Sequence, residues 1–412
     1  MPMNLLYDFI TLSNQTGAGV YAHRVFGDLL NHVICNSANN INLFALYDST
    51  IGIAYDDLTE EAMSNKYNIM YCDINEKDIT KIISDSNIDV FFIACSQYVG
   101  LYPHISEVKC RVVCVTHDLC FEEWYQNNLN LYFYQMQIGF KWPKIGTNFI
   151  ELLLKPKNDI TRLIKWIIEE LINHSSENLT HKMKGIIELA RNNENVQLIT
   201  VSDYTRISFL YNYGIDKGKV KVLWSPAREC VNSQWIVNPG LKYVLEKKLR
   251  YILMVSANRS HKNCLKVINA FTKFSEYNKD YYLVTIGYGK QTSERHIDLD
   301  YLSDGDLTHA FANCDSLIYP SFFEGFGYPP IEAMKYGKPV LCSNTTSMPE
   351  ILGDAPIFFS PIYETSIFDA LLNYSMSDYE ALSCRSRERY DYISQKQDSD
   401  LKELISMLVT CK

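Results

Sequence analysis

Two glutamates eight positions apart, Glu324 and Glu332, open the chemical reading of this chain, because they flank glycines and paired prolines in an order that serves a ligand site. The segment runs PSFFEGFGYPPIEAMKYGKPVLCSNTTSMPEILGDAPIFFSP from Pro320 to Pro361. A strand ending at Tyr319 and Pro320 would enter a loop holding Glu324, Gly325 and Gly327. Pro329 and Pro330 would then open a helix, where a missing N–H costs nothing. Loop amides ahead of a helix N-terminus suit an anion, and glycine lets a ligand approach the backbone. Two carboxylates would repel phosphate, so their natural partners are hydroxyl groups. Hydroxyls together with phosphate describe a nucleotide sugar.

Two cations and a histidine extend this pattern. Arg259 and Lys262 fall in a polar loop between a strand and a helix (VSANRSHKNCLKVINAF, 255–271) and suit a diphosphate, which gains charge as a sugar bond breaks. His117 and Asp118 follow the strand pattern VCVT, at the edge where α/β proteins bind ligands. Gly17 and Gly19 lie in TGAGVYAHR (16–24), which opens an amphipathic helix. Gly17-x-Gly19-x-x-Ala22 also fits a dinucleotide fingerprint, which makes a Rossmann oxidoreductase an alternative. Against it, ITLSNQ separates the glycines from their strand, and Asp48 lies well beyond the roughly 20-residue spacing to the expected acid.

The Glu324–Glu332 segment resembles the E-x7-E signature of glycosyltransferase family 4, and GKPVLCSNTTSMPEILGDA resembles its continuation. The resemblance covers most of 197–362, and more loosely 1–34 and 89–120, and leans towards surface-polysaccharide mannosyltransferase-like members. It implies a GT-B fold, a retaining mechanism without a protein nucleophile, and no metal or other cofactor. It implies a nucleotide-sugar donor (GDP- or UDP-linked) and a glycan or lipid-linked glycan acceptor, in synthesis of a bacterial-type surface polysaccharide. By the same resemblance Glu324 meets sugar hydroxyls and Glu332 the nucleotide ribose. The amides of Phe326, Gly327 and Tyr328 face the sugar and distal phosphate, Arg259 and Lys262 hold the diphosphate, and His117 is the active-site histidine. The loop at Gly17 and Gly19 then faces the donor phosphates. Tyr328 stands where the family often has Leu, and Asp300 where it often has Gly. A catalytically silent nucleotide-binding scaffold of the same fold is the other alternative. A glycan phosphorylase shares the fold class, but no feature points to its pyridoxal phosphate.

The elements that must position these residues are short β-type runs alternating with helical stretches, which predict parallel sheets covered by helices. Strands are expected at 4–9, 41–46, 89–94, 111–116, 198–201, 251–257, 281–287, 315–320, 338–342 and 356–359. Helical periodicity marks 20–34, 265–274 and 307–312, the last opened by Ser303 with Asp306 three residues on. The pattern lapses over 224–248, so we expect two facing doubly wound α/β domains. These are 1–225 on the acceptor side and 226–394 for the nucleotide sugar, with a C-terminal helix (about 395–412) returning to the first. At 412 residues, two domains are the natural division.

Composition sets outer bounds. The net charge of -9 argues against a nucleic-acid partner. Twelve cysteines lie scattered, without C-x-x-C pairs, as in a reducing cytosol. No signal peptide or membrane span is expected, which points to a cytoplasmic protein. The stretch 141–191 is locally basic, with Trp142, Arg162 and Lys165 near an aliphatic stripe (Ile160 to Ile172). It reads either as a peripheral contact with anionic lipid or as an ordinary core-facing helix.

Overall fold

A computed structural model describes residues 2–13, 17–35, 41–51, 68–97, 102, 104–119, 176–228 and 236–410. The Trp142–Ile172 surface lies outside them. Among the described residues two wholly parallel sheets form the frame, and β1 (Met3–Asp8) to β7 (Val220–Val222) make the first. Its order is β3-β2-β1-β4-β5-β6-β7, with β2 at Ile41–Tyr47, β3 at Ile69–Asp73, β4 at Val90–Ile93, β5 at Arg111–Thr116 and β6 at Val196–Thr200. The second sheet, β10-β9-β8-β11-β12-β13, comprises β8 (Arg250–Met254), β9 (Tyr281–Ile286), β10 (His296–Leu299), β11 (Ser316–Tyr319), β12 (Val340–Ser343) and β13 (Ile357–Phe359). Val90, Phe91, Phe92 and Ile93 are all buried, as expected for a strand covered on both faces.

Each sheet winds outward from its centre, returns, and continues on the other side. The strand order therefore reverses between β1 and β4 in the first sheet and between β8 and β11 in the second. Crevices past the strand ends at such reversals are where open α/β sheets bind ligands. Here the two crevices face one another.

Helices that matter for the site are α1 (Phe9–Leu12), α2 (Gly17–Cys35), α3 (Ile79–Asp85), α4 (Ser176–Asn192), α5 (Asp203–Tyr213), α6 (Pro239–Glu246), α7 (Cys264–Tyr277), α8 (Asp304–Asn313), α9 (Tyr328–Lys335), α10 (Met348–Leu352), α11 (Glu364–Met376) and α12 (Tyr379–Val409). Sequence periodicity missed β3, β7 and β10, and the stretch read as a bare connection contains α6. Its Pro239 sits in the first turn, Asn238 caps it, and Leu241 and Val244 are buried. Ser303 does cap α8, accepting from the Asp306 amide at 3.1 Å. The Asp306 carboxylate instead accepts from the amides of Val237 and Asn238 at 2.8 and 3.1 Å, which pins the connection down.

The chain's last long helix ties the halves together. Asp400 of α12 accepts from the Trp224 amide at 2.8 Å, Gln397 donates to the Ser225 carbonyl at 2.6 Å, and Arg111 donates to the Thr410 carbonyl at 2.9 Å. Arg389, midway along α12, donates to the Glu350 and Ile351 carbonyls and so satisfies the end of α10. The Glu350 carboxylate crosses to the first domain, accepting from the amides of Asp203 at 2.7 Å and Tyr204 at 3.0 Å. Those amides open α5, so charge and helix dipole agree. Glu350→Ala is expected to weaken the domain contact by about 1–3 kcal/mol, read as a lowered thermal midpoint.

Candidate active site

A cavity of about 360 Å³ lies where the two crevices meet. The first domain contributes Gly17 and Ala18 beyond β1, Cys95 and Gln97 beyond β4, and His117 and Asp118 beyond β5. The second contributes Ser256, Arg259, His261 and Lys262 beyond β8, Tyr319 at the end of β11, and Phe323 to Pro329 in the loop that follows and the start of α9. Sequence-chosen residues from both halves thus share one wall-to-wall space.

Lys262 and Glu324 form its charged centre. They are ion-paired with side chains 6% and 14% exposed, and the Lys262 ammonium also donates to the Tyr319 hydroxyl. Burial pulls the ammonium below its usual value, with Glu324 opposing. Burial would likewise push the Glu324 carboxyl up, but the neighbouring Lys262 charge and hydrogen bond outweigh it and hold the carboxyl low. Each charge thus opposes the burial cost of the other. Arg259 lies exposed at the same rim.

The loop that carries Glu324 is held by a segment the sequence reading left without a role. The Glu324 amide donates to Thr346 Oγ1 at 3.1 Å, and Ser347 donates to the Glu324 carbonyl at 2.9 Å. Ser343 and Thr345 both donate to the Ser321 carbonyl, at 2.6 and 3.0 Å. The run of small hydroxyl residues in CSNTTS was the available signal, since such side chains bond nearby backbone. In contrast, the amides of Phe326, Gly327 and Tyr328 take no bond from the described protein. Gly327, at φ +83°, turns them ahead of α9, which makes a ready anion cradle.

The glycines themselves differ from expectation. A Cβ on Gly325 would lie 1.9 Å from the His117 carbonyl oxygen, and one on Gly327 would lie 2.4 Å from the Met348 methyl. Protein fills both Cβ positions, so on that side the missing side chains admit neighbouring elements, while both backbones line the cavity. Gly17 meets nothing within 4 Å and is exposed at the cavity, while Gly19 is buried in α2. Helix α1 intervenes between β1 and Gly17, and Asp48 is engaged in its own turn with Thr50 and Asn75. That geometry removes the support for a Rossmann dinucleotide fingerprint.

His117 is placed by two contacts. Its ring meets Tyr21 edge-on at 4.8 Å, and Nε2 lies 2.9 Å from the Ala94 carbonyl. A carbonyl only accepts, so Nε2 carries the proton and a neutral ring keeps Nδ1 as a bare acceptor. Burial lowers its pKa to about 4, and burial with the Lys262 charge lowers His261 to about 4. Asp118 accepts from Gln97 Nε2 at 3.1 Å.

A stability prediction follows from these two rings. The unfolded histidines gain protons below about pH 6.5, whereas the folded ones resist until about pH 4. Between those values the unfolded state binds more protons, so stability falls as pH falls. Urea unfolding from pH 6.5 to 4 is expected to show this slope, and His117→Gln to make it shallower.

Glu332 sits one helical turn beyond Tyr328, with its side chain 15% exposed. Its nearest cation is Arg228 at 3.6 Å, and Arg228 bonds Asp304 at 2.8 Å. Burial raises the Glu332 carboxyl, Arg228 opposing. Arg228 escaped the sequence reading because nothing in the connection marks one arginine among its polar neighbours. Tyr328 lines the cavity, stacked edge-on near Phe326 at 5.6 Å.

Among the described residues no cluster of metal-binding side chains occurs, no helix is long and apolar enough to cross a membrane, and the nine described cysteines are free.

The paired sheets define the class. The chain has the GT-B fold, matching the Anabaena Alr3699/HepE structure in complex with UDP and glucose at a TM-score of 0.60, over 98% of this chain and 99% of that one, with 13% identity. The Escherichia coli structure titled trehalose-6-phosphate, bound with UDP-2-fluoro glucose, matches at 0.60 over 99% of each chain, with 10% identity. Residues 242–397, a span that holds the whole second sheet, match the family model described as glycosyl transferases group 1. Similar curated proteins include O-antigen chain mannosyltransferase B of Escherichia coli, 34% identical over 181 residues, or 40% of this chain and 47% of the relative. O-antigen chain mannosyltransferase RfbU of Salmonella typhimurium is 28% identical over 216 residues, 48% of this chain and 57% of the relative. The matches thus span about half the length of these relatives.

Proposed function

We propose that this protein is a glycosyltransferase of surface-polysaccharide synthesis, moving a hexose from a nucleoside-diphosphate sugar to a glycan or lipid-linked glycan. The observation that carries the reading is the juxtaposition, in one interdomain cavity, of free amides, the Arg259 and Lys262 cations, and the Glu324 carboxylate. The similarity to O-antigen mannosyltransferases supports a hexose and a polysaccharide setting.

In this reading the diphosphate lies against Arg259, Lys262 and the amides of Phe326, Gly327 and Tyr328. Glu324 accepts from sugar hydroxyls, and His117 Nδ1 can accept another. Glu332 accepts from the ribose hydroxyls. As the bond from the anomeric carbon to phosphate oxygen breaks, the two cations and the amides stabilise the growing charge. The departing phosphate oxygen takes the acceptor hydroxyl's proton while the acceptor oxygen bonds to the anomeric carbon from the same face, which retains configuration. The resemblance of the Glu324–Glu332 segment to retaining enzymes supports that course. Lys262 and Arg259 supply charge where other enzymes place a metal, so turnover is expected to survive EDTA.

Product analysis tests these finer points. With an α-linked donor and EDTA, proton NMR of the early product is expected to show an α linkage. A β linkage would overturn retention, and abolition by EDTA with recovery on adding a divalent cation would overturn metal independence.

A further inference from the structure

Behind the first-domain wall of the cavity lies a carboxyl group that does not line it. Asp8 closes β1 and is 0% exposed. Four donors converge on it: the Thr11 amide at 3.0 Å, the Thr11 hydroxyl, the Tyr102 hydroxyl at 2.8 Å and the Ala94 amide at 3.3 Å. Burial pushes the carboxyl above its usual value, with the hydrogen bonds from Thr11, Tyr102 and Ala94 opposing. An apolar side chain would fill the same place at lower cost. What the carboxyl adds is its bonds.

Those bonds reach every stretch of the wall. Thr11 belongs to α1, which Asp8 caps and which leads towards Gly17 and Ala18. Ala94 directly follows β4 and precedes Cys95, with Gln97 two residues further on. The carbonyl of the same Ala94 accepts from His117 Nε2 at 2.9 Å, and Gln97 Nε2 donates to Asp118 at 3.1 Å. The ends of β1, β4 and β5 are thus tied together at Asp8, behind the side chains that meet the cavity.

We propose that Asp8 is a positioning residue, which by fixing Ala94 and α1 sets where His117 and the first-domain wall stand opposite the Lys262–Glu324 pair. Its effect on turnover rests on the transferase reading above. The two oxygens are needed separately. Oδ1 accepts from the Thr11 amide and Oδ2 from the Ala94 amide, and a backbone N–H only donates. Asparagine at this position offers one acceptor oxygen, so whichever way it turns, its NH2 group faces one of those N–H groups. A buried backbone donor then loses its acceptor, and α1 or the end of β4 shifts. Lys262 and Glu324 are held within the second domain, by each other, Tyr319 and Thr346. A diphosphate bound there does not depend on Asp8.

Kinetics, calorimetry and NMR of the full chain test the assignment. In Asp8→Asn, kcat is expected to fall about 10- to 100-fold, the scale for reacting groups displaced by up to about 1 Å. The Kd of the nucleoside diphosphate released from the donor is expected to stay within about twofold of the wild type. With isotope-labelled histidine at neutral pH, proton–nitrogen NMR is expected to show the His117 ring as the Nε2–H form in the wild type. In Asp8→Asn a mixture of the two neutral forms is expected, with His117→Gln assigning the signal. Asp8→Ser, whose hydroxyl can cap α1 but falls short of Ala94, serves with the same expectations if the asparagine variant does not fold. An unchanged kcat, or a His117 signal that matches the wild type, overturns the assignment. A fall in kcat with an equal loss of nucleotide affinity overturns it too, because a merely structural role gives that result. If the wild-type chain turns over no donor, the transferase reading falls and the His117 comparison alone decides the role of Asp8.

Discussion

Lys262→Ala is expected to lower kcat/KM by about 10²–10³-fold, the scale for losing one preorganised group that stabilises developing charge. The same change leaves the Glu324 carboxylate, 14% exposed, without its ion-pair partner. Breaking a buried pair from one side costs about 3–5 kcal/mol, so stability falls together with activity. The two effects separate in the double variant Lys262→Met with Glu324→Gln, which removes both charges at similar volume. Its thermal midpoint is expected to recover most of the loss, because neither group is left charged and unpaired. Its turnover is expected to stay at the Lys262→Ala level or below. Recovery of turnover with stability would mean that the pair only holds the loop.

Gly325→Ala carries the second large effect. The new methyl would sit 1.9 Å from the His117 carbonyl oxygen and 2.9 Å from its carbonyl carbon. Both partners are backbone, so relief requires the Glu324 loop and the strand end bearing His117 to move apart. Overpacking of this kind costs about 1–3 kcal/mol. A displacement of about 1 Å at reacting groups costs about 100-fold in rate. Gly218→Ala is the matched control, since its Cβ would meet only the Asp216 side chain at an ordinary 3.5 Å. It is expected to change stability by less than about 0.5 kcal/mol and to leave kcat/KM unaltered.

These residues also show what could be read in advance. The strand RVVCVT at 111–116 coincides with β5 because every residue after Arg111 is buried, and buried parallel strands read as continuous apolar runs. β10 escaped because His296 and Asp298 interrupt its run. In the fold His296 is 1% exposed, meeting Thr285 and Thr292, and Asp298 accepts from the Tyr288 and Gly289 amides. Polar partners that lie elsewhere in the chain leave no periodic trace.

The site followed the same division. That Glu324, Lys262 and Arg259 belong to one cavity could be anticipated from their types and loop positions. Tertiary closure decided the rest. Gly325 reads as room for a ligand until His117 is seen to fill it, and Lys262 and Glu324 read as serving separate ligand groups until the structure pairs them. Arg228 is visible only once α8 and α9 bring Asp304 and Glu332 to either side of it.

The most direct test of the central claim is release of nucleoside diphosphate from a panel of nucleotide sugars, with glycan acceptors present. The wild-type protein is expected to turn over one donor class, and Glu324→Ala and Lys262→Ala each to lose that turnover while still folding. Turnover that both variants retain would place the chemistry outside this cavity. A protein that bound and released nothing from any donor would instead be a silent scaffold of the GT-B fold, contradicting the account.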